Sequence, residues 1–240
     1  MIKPRPTAVL VHGAFAESAS WSGVVEQLQA SAVPVVAVAN PLRSVPGDAA
    51  YLRDVMAGID GPVVLVGHSY VGMVVTEAAA GHDKVAGLVY VCAFAPDQGE
   101  SAFELSTRFP GSTLGPALTA YPVTTGGNEF AIRPDAFHHQ FAADVSPAQA
   151  AVLGATQRPV TEVALTAGLP TGSPAWKSIP SWFVFSDEDS CIPVALHRFM
   201  AERAGARDVR EVPGASHALT VSHPDAVTAS ILMAVDAVAA

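Results

Sequence analysis

The sequence predicts an α/β domain: a doubly wound, mostly parallel sheet of about six strands, interrupted once by an inserted helical lid. Three observations predict it: short β-branched runs bounded by turn residues, segments of helical length between them, and one connection too long to be a loop. A chain of 240 residues suits one large core and falls short of two. Half of the residues are hydrophobic and only 15% are charged. That composition supplies enough apolar surface for a core and argues against disorder.

Strands are expected at residues 8–13 (AVLVHG), 34–40 (PVVAVAN), 62–67 (PVVLVG), 85–93 (VAGLVYVCA), 181–186 (SWFVFS) and 209–213 (VREVP). The first five read as strands buried on both faces, as in a parallel sheet covered by helices. Helical segments fall between and after them. The first is 20–31, with Ser20 as its N-cap, followed by 46–59 and 70–81. The last two are 193–205, opened by Pro193 and stopped by Gly205, and 223–240. Ligands of such sheets bind beyond the carboxyl ends of the strands.

Residues 1–95 and 180–240 are assigned to the core, and 96–179 to the lid, because a link in this class of fold runs to roughly 2–6 residues. Two lid helices are legible. DAFHHQFAAD sets Phe137 and Phe141 four apart, and SPAQAAVLGATQ opens with Ser146 as cap and Pro147 at the first helical position. The Gly/Pro/Thr-rich stretches 110–128 and 168–174 are expected to be hinges or connections. Lid aromatics Phe103, Phe109, Tyr121, Phe130, Phe137, Phe141 and Trp176 are expected to build a small core of their own, with some facing the sheet and an apolar substrate group.

The chemistry concentrates at the strand ends. VVLVGHSYVG, residues 63–72, nearly spells the G-x-S-x-G turn of a serine hydrolase, with Val71 at the second glycine position. Ser69 follows an apolar strand and precedes a helix, the setting that raises a serine Oγ above a sheet. A serine hydroxyl is a weak nucleophile without an imidazole to take its proton. After SWFVFS stand Asp187, Glu188 and Asp189, and after VREVP stand His217 and His223. Asp189 and His217 are chosen as acid and base, with Asp189 fixing the tautomer that leaves Nε2 free for Ser69. His223 directly precedes Pro224 and fits the start of the last helix. The backbone N–H groups of Tyr70 and Ala14 are the expected oxyanion donors. A β-branched Val71 is expected to crowd Gly67 and strain the turn by about 1–3 kcal/mol.

The segments VLVHGAF…W, VVLVGHSY.G, DxxIP at Asp189 to Pro193 and ASHA around His217 resemble the small bacterial α/β-hydrolase-fold esterases, a group similar to plant methyl-ester esterases and hydroxynitrile lyases. The resemblance covers essentially the whole chain. It implies the triad Ser69, Asp189 and His217, an oxyanion hole at Ala14 and Tyr70, a cap in the insertion, and a reduced sheet without the family's two N-terminal antiparallel strands. The implied activity is hydrolysis of small to medium, apolar carboxylic esters or lactones. Two alternatives stand beside it. One is a non-catalytic binding protein on the same scaffold. The other is a hydroxynitrile lyase, which in the plant enzymes also needs a lysine, and Lys177 is the only obvious lid lysine.

Other classes are disfavoured. The formal charge of −9, without a basic cluster, points away from nucleic acid and anionic membranes. No G-x-G-x-x-G or phosphate-binding lysine loop follows a strand, so no cofactor is expected. His12 and His68 lie in no metal-ligand spacing and are expected to support the turns, and the adjacent His138 and His139 diverge on a helix. Cys92 and Cys191 read as buried or incidental thiols in a reducing compartment. The N-terminal apolar run ends at His12, too short for a secretion signal, and no run spans a bilayer, so a cytoplasmic monomer or homodimer is expected.

Overall fold

The computed structural model describes residues 5–239. Residues 1–4, the basic start weighed as a leader, and residue 240, the end of the last expected helix, lie outside the described residues. Strand and helix alternate from the start: β1 (Thr7–Val11), a 3₁₀ turn (Ser18–Trp21) running into α1 (Ser22–Ala30), β2 (Val35–Val38), α2 (Val45–Ala57), β3 (Val63–His68), α3 (Val71–Ala79) and β4 (Val85–Val91). The insertion then holds α4 (Ala102–Ser106), α5 (Leu114–Ala117), β5 (Leu118–Pro122), β6 (Asn128–Ile132), α6 (Pro134–Phe141), α7 (Pro147–Thr156), β7 (Val160–Thr161) and α8 (Glu162–Thr166). The chain returns through β8 (Ser181–Ser186), α9 (Val194–Arg203), β9 (Asp208–Val212), α10 (Leu219–Ser222) and α11 (Pro224–Ala239).

The six core strands form one parallel sheet in the order β2-β1-β3-β4-β8-β9. Strands β1, β3 and β8 are buried along their whole length, whereas the edge strands β2 and β9 are partly exposed. This is why their sequences read as continuous apolar runs. The chain steps one way from β1 to β2 and the other way from β2 through β3 to β4. Right-handed crossovers therefore place α1 on one face and α2 and α3 on the other. Helix α11 packs against α1, and α2 against α3. The reversal falls between β1 and β3, the position where ligands of such sheets bind.

Two expectations change. Ser20 does not cap α1: its hydroxyl donates to the Glu17 carbonyl at 2.7 Å within the 3₁₀ turn, and α1 begins two residues later. The insertion is not purely helical. Helices α6 and α7 stand where expected, with Ser146 Oγ accepting from the Gln149 N–H at 3.2 Å, but β5, β6 and β7 form an antiparallel sheet. Strand β5 is largely exposed, so it carries no apolar alternation to announce it. The stretch 110–128 is thus more than a hinge. It ends in a hairpin whose turn uses the positive φ of Gly126 and Gly127, 95° and 77°. The cap is tied to the core where the Thr161 N–H donates to the Leu42 carbonyl at 3.2 Å and Arg43 pairs with Glu129.

Candidate active site

Parallel register brings the first two parts of the site together. Val11 pairs with Gly67, so the turn after β1 lies beside the turn after β3. The fit there is close: a Cβ on Gly13 would stand 2.6 Å from the His68 carbonyl and 2.7 Å from Ser69 Cβ. His12 locks this turn, its Nε2 accepting from the Asn40 N–H and its Nδ1–H donating to the Gly13 carbonyl, both at 3.0 Å. Burial pushes its pKa down to about 4, which keeps the ring neutral at pH 7.

Ser69 has φ of 58°, the left-handed conformation of a sharp strand-to-helix turn. Backbone bonds to both neighbours hold it: its N–H reaches the Val91 carbonyl and its carbonyl accepts from Phe94, each at 3.2 Å. The expected crowding of Gly67 by the Val71 side chain is not what surrounds that glycine. The atoms nearest a Cβ at Gly67 are the Val75 methyls, at 3.1 and 3.2 Å, and the Val71 backbone oxygen, at 3.2 Å. Val71 opens α3 without a positive φ and is wholly buried. The glycine that the turn demands is Gly72, where a Cβ would fall 1.8 Å from the Phe94 carbonyl oxygen.

Ser69 Oγ lies 2.8 Å from His217 Nε2, and His217 Nδ1 lies 2.6 Å from Asp189 Oδ2. An ionised carboxylate only accepts, so Nδ1 carries the proton and Nε2 is free to accept from Ser69. The other candidates point elsewhere. Asp187 accepts from the Gly214 N–H at 2.7 Å, Glu188 is exposed, and His223 faces Ser222 and Asp144 at the start of α11.

Asp189 is buried, and its four donors account for its charge. Oδ1 accepts from the Cys191 and Ile192 N–H groups at 2.7 and 2.9 Å, and Oδ2 accepts from His217 and, at 3.3 Å, from His197 Nε2. Burial alone would raise its pKa, but the charge of His217 and the hydrogen bonds from His197 and His217 hold it well below the usual carboxylate range. The loop carrying His217 is held from three sides. His68 Nε2–H donates to the His217 carbonyl at 3.0 Å, Ser186 Oγ donates to the Ser216 carbonyl at 2.5 Å, and Ser216 Oγ bonds the Phe141 carbonyl and the Asp144 carboxylate of the cap. Burial, then the charge of His217, push the His68 pKa down to about 3.

The backbone N–H groups of Ala14 and Tyr70 have no protein acceptor among the described residues. Both residues line a cavity of about 350 Å³ that also takes in Ser69 and His217. Its wall is largely apolar, with Phe15, Phe94, Phe103, Phe109, Leu118 and Ile192 among its residues, and among the described residues no Lys, Arg, Asp or Glu lines it. Of the other lid aromatics, Phe141 packs its ring 5.0 Å from that of His217, Trp176 is buried, and Tyr121 is exposed against Glu129.

Three contributors escape the sequence. His197 lies within a helix and looks like any core histidine. Asp48, wholly buried, accepts from the Tyr70 hydroxyl at 3.1 Å and the Arg43 N–H at 3.0 Å, and burial raises its pKa. Asp144 reaches Ser216 from the cap. None has a local spacing signal. Metal-ligating atoms cluster as Cys92, Asp189 and His197, and as Asp189, Cys191 and His217. Burial pushes both thiols up, which leaves them protonated, so each would have to give up a proton to ligate.

The chain is 29% identical to an alpha/beta hydrolase, nvfD, of Aspergillus novofumigatus (strain IBT 16806), with 95% of each chain covered. It is 25% identical to norfluorocurarine synthase 2 of a Strychnos species, with 90% of each covered. A crystal structure of polyneuridine aldehyde esterase shares the fold with a TM-score of 0.82 at 22% identity, over 96% of this chain and 99% of that one. Residues 8–230 match the Alpha/beta hydrolase family, and the chain belongs to that family.

Proposed function

We propose that the protein is a serine hydrolase that cleaves small to medium, apolar carboxylic esters, lactones included, through an acyl-enzyme. The observation that carries this reading is the hydrogen-bonded run Ser69, His217, Asp189 opening onto an uncharged, largely apolar cavity. His217 Nε2 takes the Ser69 proton as Oγ attacks the carbonyl carbon, and Asp189 stabilises the imidazolium. The N–H groups of Ala14 and Tyr70 receive the oxyanion. The imidazolium gives its proton to the departing alcohol, and a water activated by the same ring releases the acid and restores Ser69. No step calls for a cofactor. A lyase dependent on a lysine at the site finds little support, because Lys177 is exposed, bonds Asp97 at 2.6 Å and is absent from the cavity wall. A reducing, cytoplasmic setting fits two buried, free cysteines.

The test is hydrolysis of p-nitrophenyl butyrate by the wild type beside Ser69→Ala. The variant is expected to lose about 10⁴-fold or more in kcat/KM. Equal rates in the two would overturn the reading.

A further inference from the structure

We infer that His197 is a positioning residue whose imidazole, behind Asp189, shares the carboxylate oxygen on which His217 depends and thereby sets the proton affinity of the general base. The inference rests on the esterase reading above. Both rings converge on Oδ2 of Asp189, His217 at 2.6 Å and His197 at 3.3 Å, while two backbone N–H groups hold Oδ1. Since the carboxylate can only accept, His197 Nε2 carries the proton and Nδ1 is bare. Nδ1 is buried with no partner among the described residues, although the ring stacks on Phe185 at 5.0 Å and 12°. A ring kept for packing alone would serve better as phenylalanine, which leaves no unpaired acceptor. What histidine adds at this position is the donor.

The effect follows from the charge it shares. A second donor spreads the negative charge of Asp189, so the carboxylate pulls less strongly on the Nδ1 proton of His217. The imidazolium formed during attack then gives up its proton to the leaving alcohol more readily. Burial keeps His197 itself neutral, so it donates without adding a charge of its own. The groups facing the two rings are few. Around His197 stand Asp189, His217 and the protonated Cys92 thiol, with Glu211 farther off on β9. Around His217 stand Ser69, His68, Asp189 and the Cys191 thiol, with Asp144 reaching it only through Ser216.

Two variants separate donor from ring: His197→Phe keeps the stack and removes the N–H, and His197→Gln keeps an N–H donor and removes the ring. In His197→Phe the acid limb of the kcat/KM profile is expected to move up by about half a pH unit or more, and in His197→Gln to return toward the wild-type position. Titration of the His217 ring by ¹⁵N NMR should report the same displacement without relying on turnover. Unchanged His217 titration in His197→Phe, or equal displacement in both variants, would overturn the inference. If His197→Phe does not fold, His197→Met supplies the donor-free arm. A wild type without ester turnover but with the NMR displacement would sink the esterase reading and keep the positioning role. Ester turnover lost in Ser69→Ala, with no displacement, would do the reverse.

Discussion

Acid should destabilise this protein through two histidines sealed under the candidate site. His12 and His68 are 0% and 1% exposed, and both are neutral in the fold. Their folded pKa values, about 4 and about 3, lie below the 6.5 of an unfolded histidine, chiefly because burial disfavours the charged ring. The unfolded chain therefore binds more protons below pH 6.5. The stability these rings allow is fully present above that pH and is lost as pH falls toward 4 and 3. Between pH 7 and pH 5 each ring costs about 2 kcal/mol, or about 4 kcal/mol together, a large share of a typical margin of about 5–15 kcal/mol. His197, also pushed down by burial, acts in the same direction. Asp48, pushed up by burial, acts oppositely and gains as pH falls, while the loss at Asp189 belongs to pH values below the ordinary carboxylate range. Urea unfolding followed by tryptophan fluorescence at pH 7, 6 and 5 measures the slope. Replacing one ring by His12→Gln, which can still donate and accept, should remove about half of the fall attributed to the pair. A drop of less than about 1 kcal/mol between pH 7 and 5 would refute the reasoning, because the rings would then be taking up protons without unfolding.

Val71→Gly should lower stability by about 1–3 kcal/mol, through a lost buried side chain and a glycine in the first turn of α3, with no gain in kcat. A rise in melting temperature would restore the crowding account. Gly72→Ala should be far worse, since a methyl 1.8 Å from the Phe94 oxygen forces the Ser69 turn to move; soluble yield and ester turnover should both collapse. Tyr70→Phe removes the hydroxyl from buried Asp48 and should cost about 1–3 kcal/mol in denaturant unfolding, while the Tyr70 N–H survives and ester turnover persists.

The core was legible because its chemistry is repetitive. Runs such as VVLVG are buried on both faces, and each of the six expected strands appears within a few residues of its expected bounds. Ser69, Asp189 and His217 follow strand ends, and parallel register carries those ends to one edge, so three distant segments meet. The insertion was less legible. Its hairpin is exposed and lacks alternation, leaving the paired Gly126 and Gly127 as the one available sign. Val71 misled because spacing identifies which residue occupies a position but not which atoms meet there; the close approach falls one residue later, at Gly72. His197, Asp48 and Asp144 were invisible for a different reason. Asp48 meets Tyr70 and Asp144 meets Ser216 across 22 and 72 residues, and His197 meets Asp189, eight residues before it, only because the chain turns from the loop after β8 into α9; a lone polar residue in a helix or loop does not disclose whom it meets.

The bonds from Phe141 and Asp144 to Ser216 have a bearing on redesign. A cap that merely roofed the cavity could be exchanged between homologues to install new selectivity, as one changes a lens. Here the roof also grips the residue next to His217, so a transplanted roof without an equivalent grip would leave the His217 ring loosely aimed. Grafts that carry Asp144 and the end of α6 with them should keep their speed, and those that change only the far wall, around Phe109 and Leu118, can retune selectivity without that penalty.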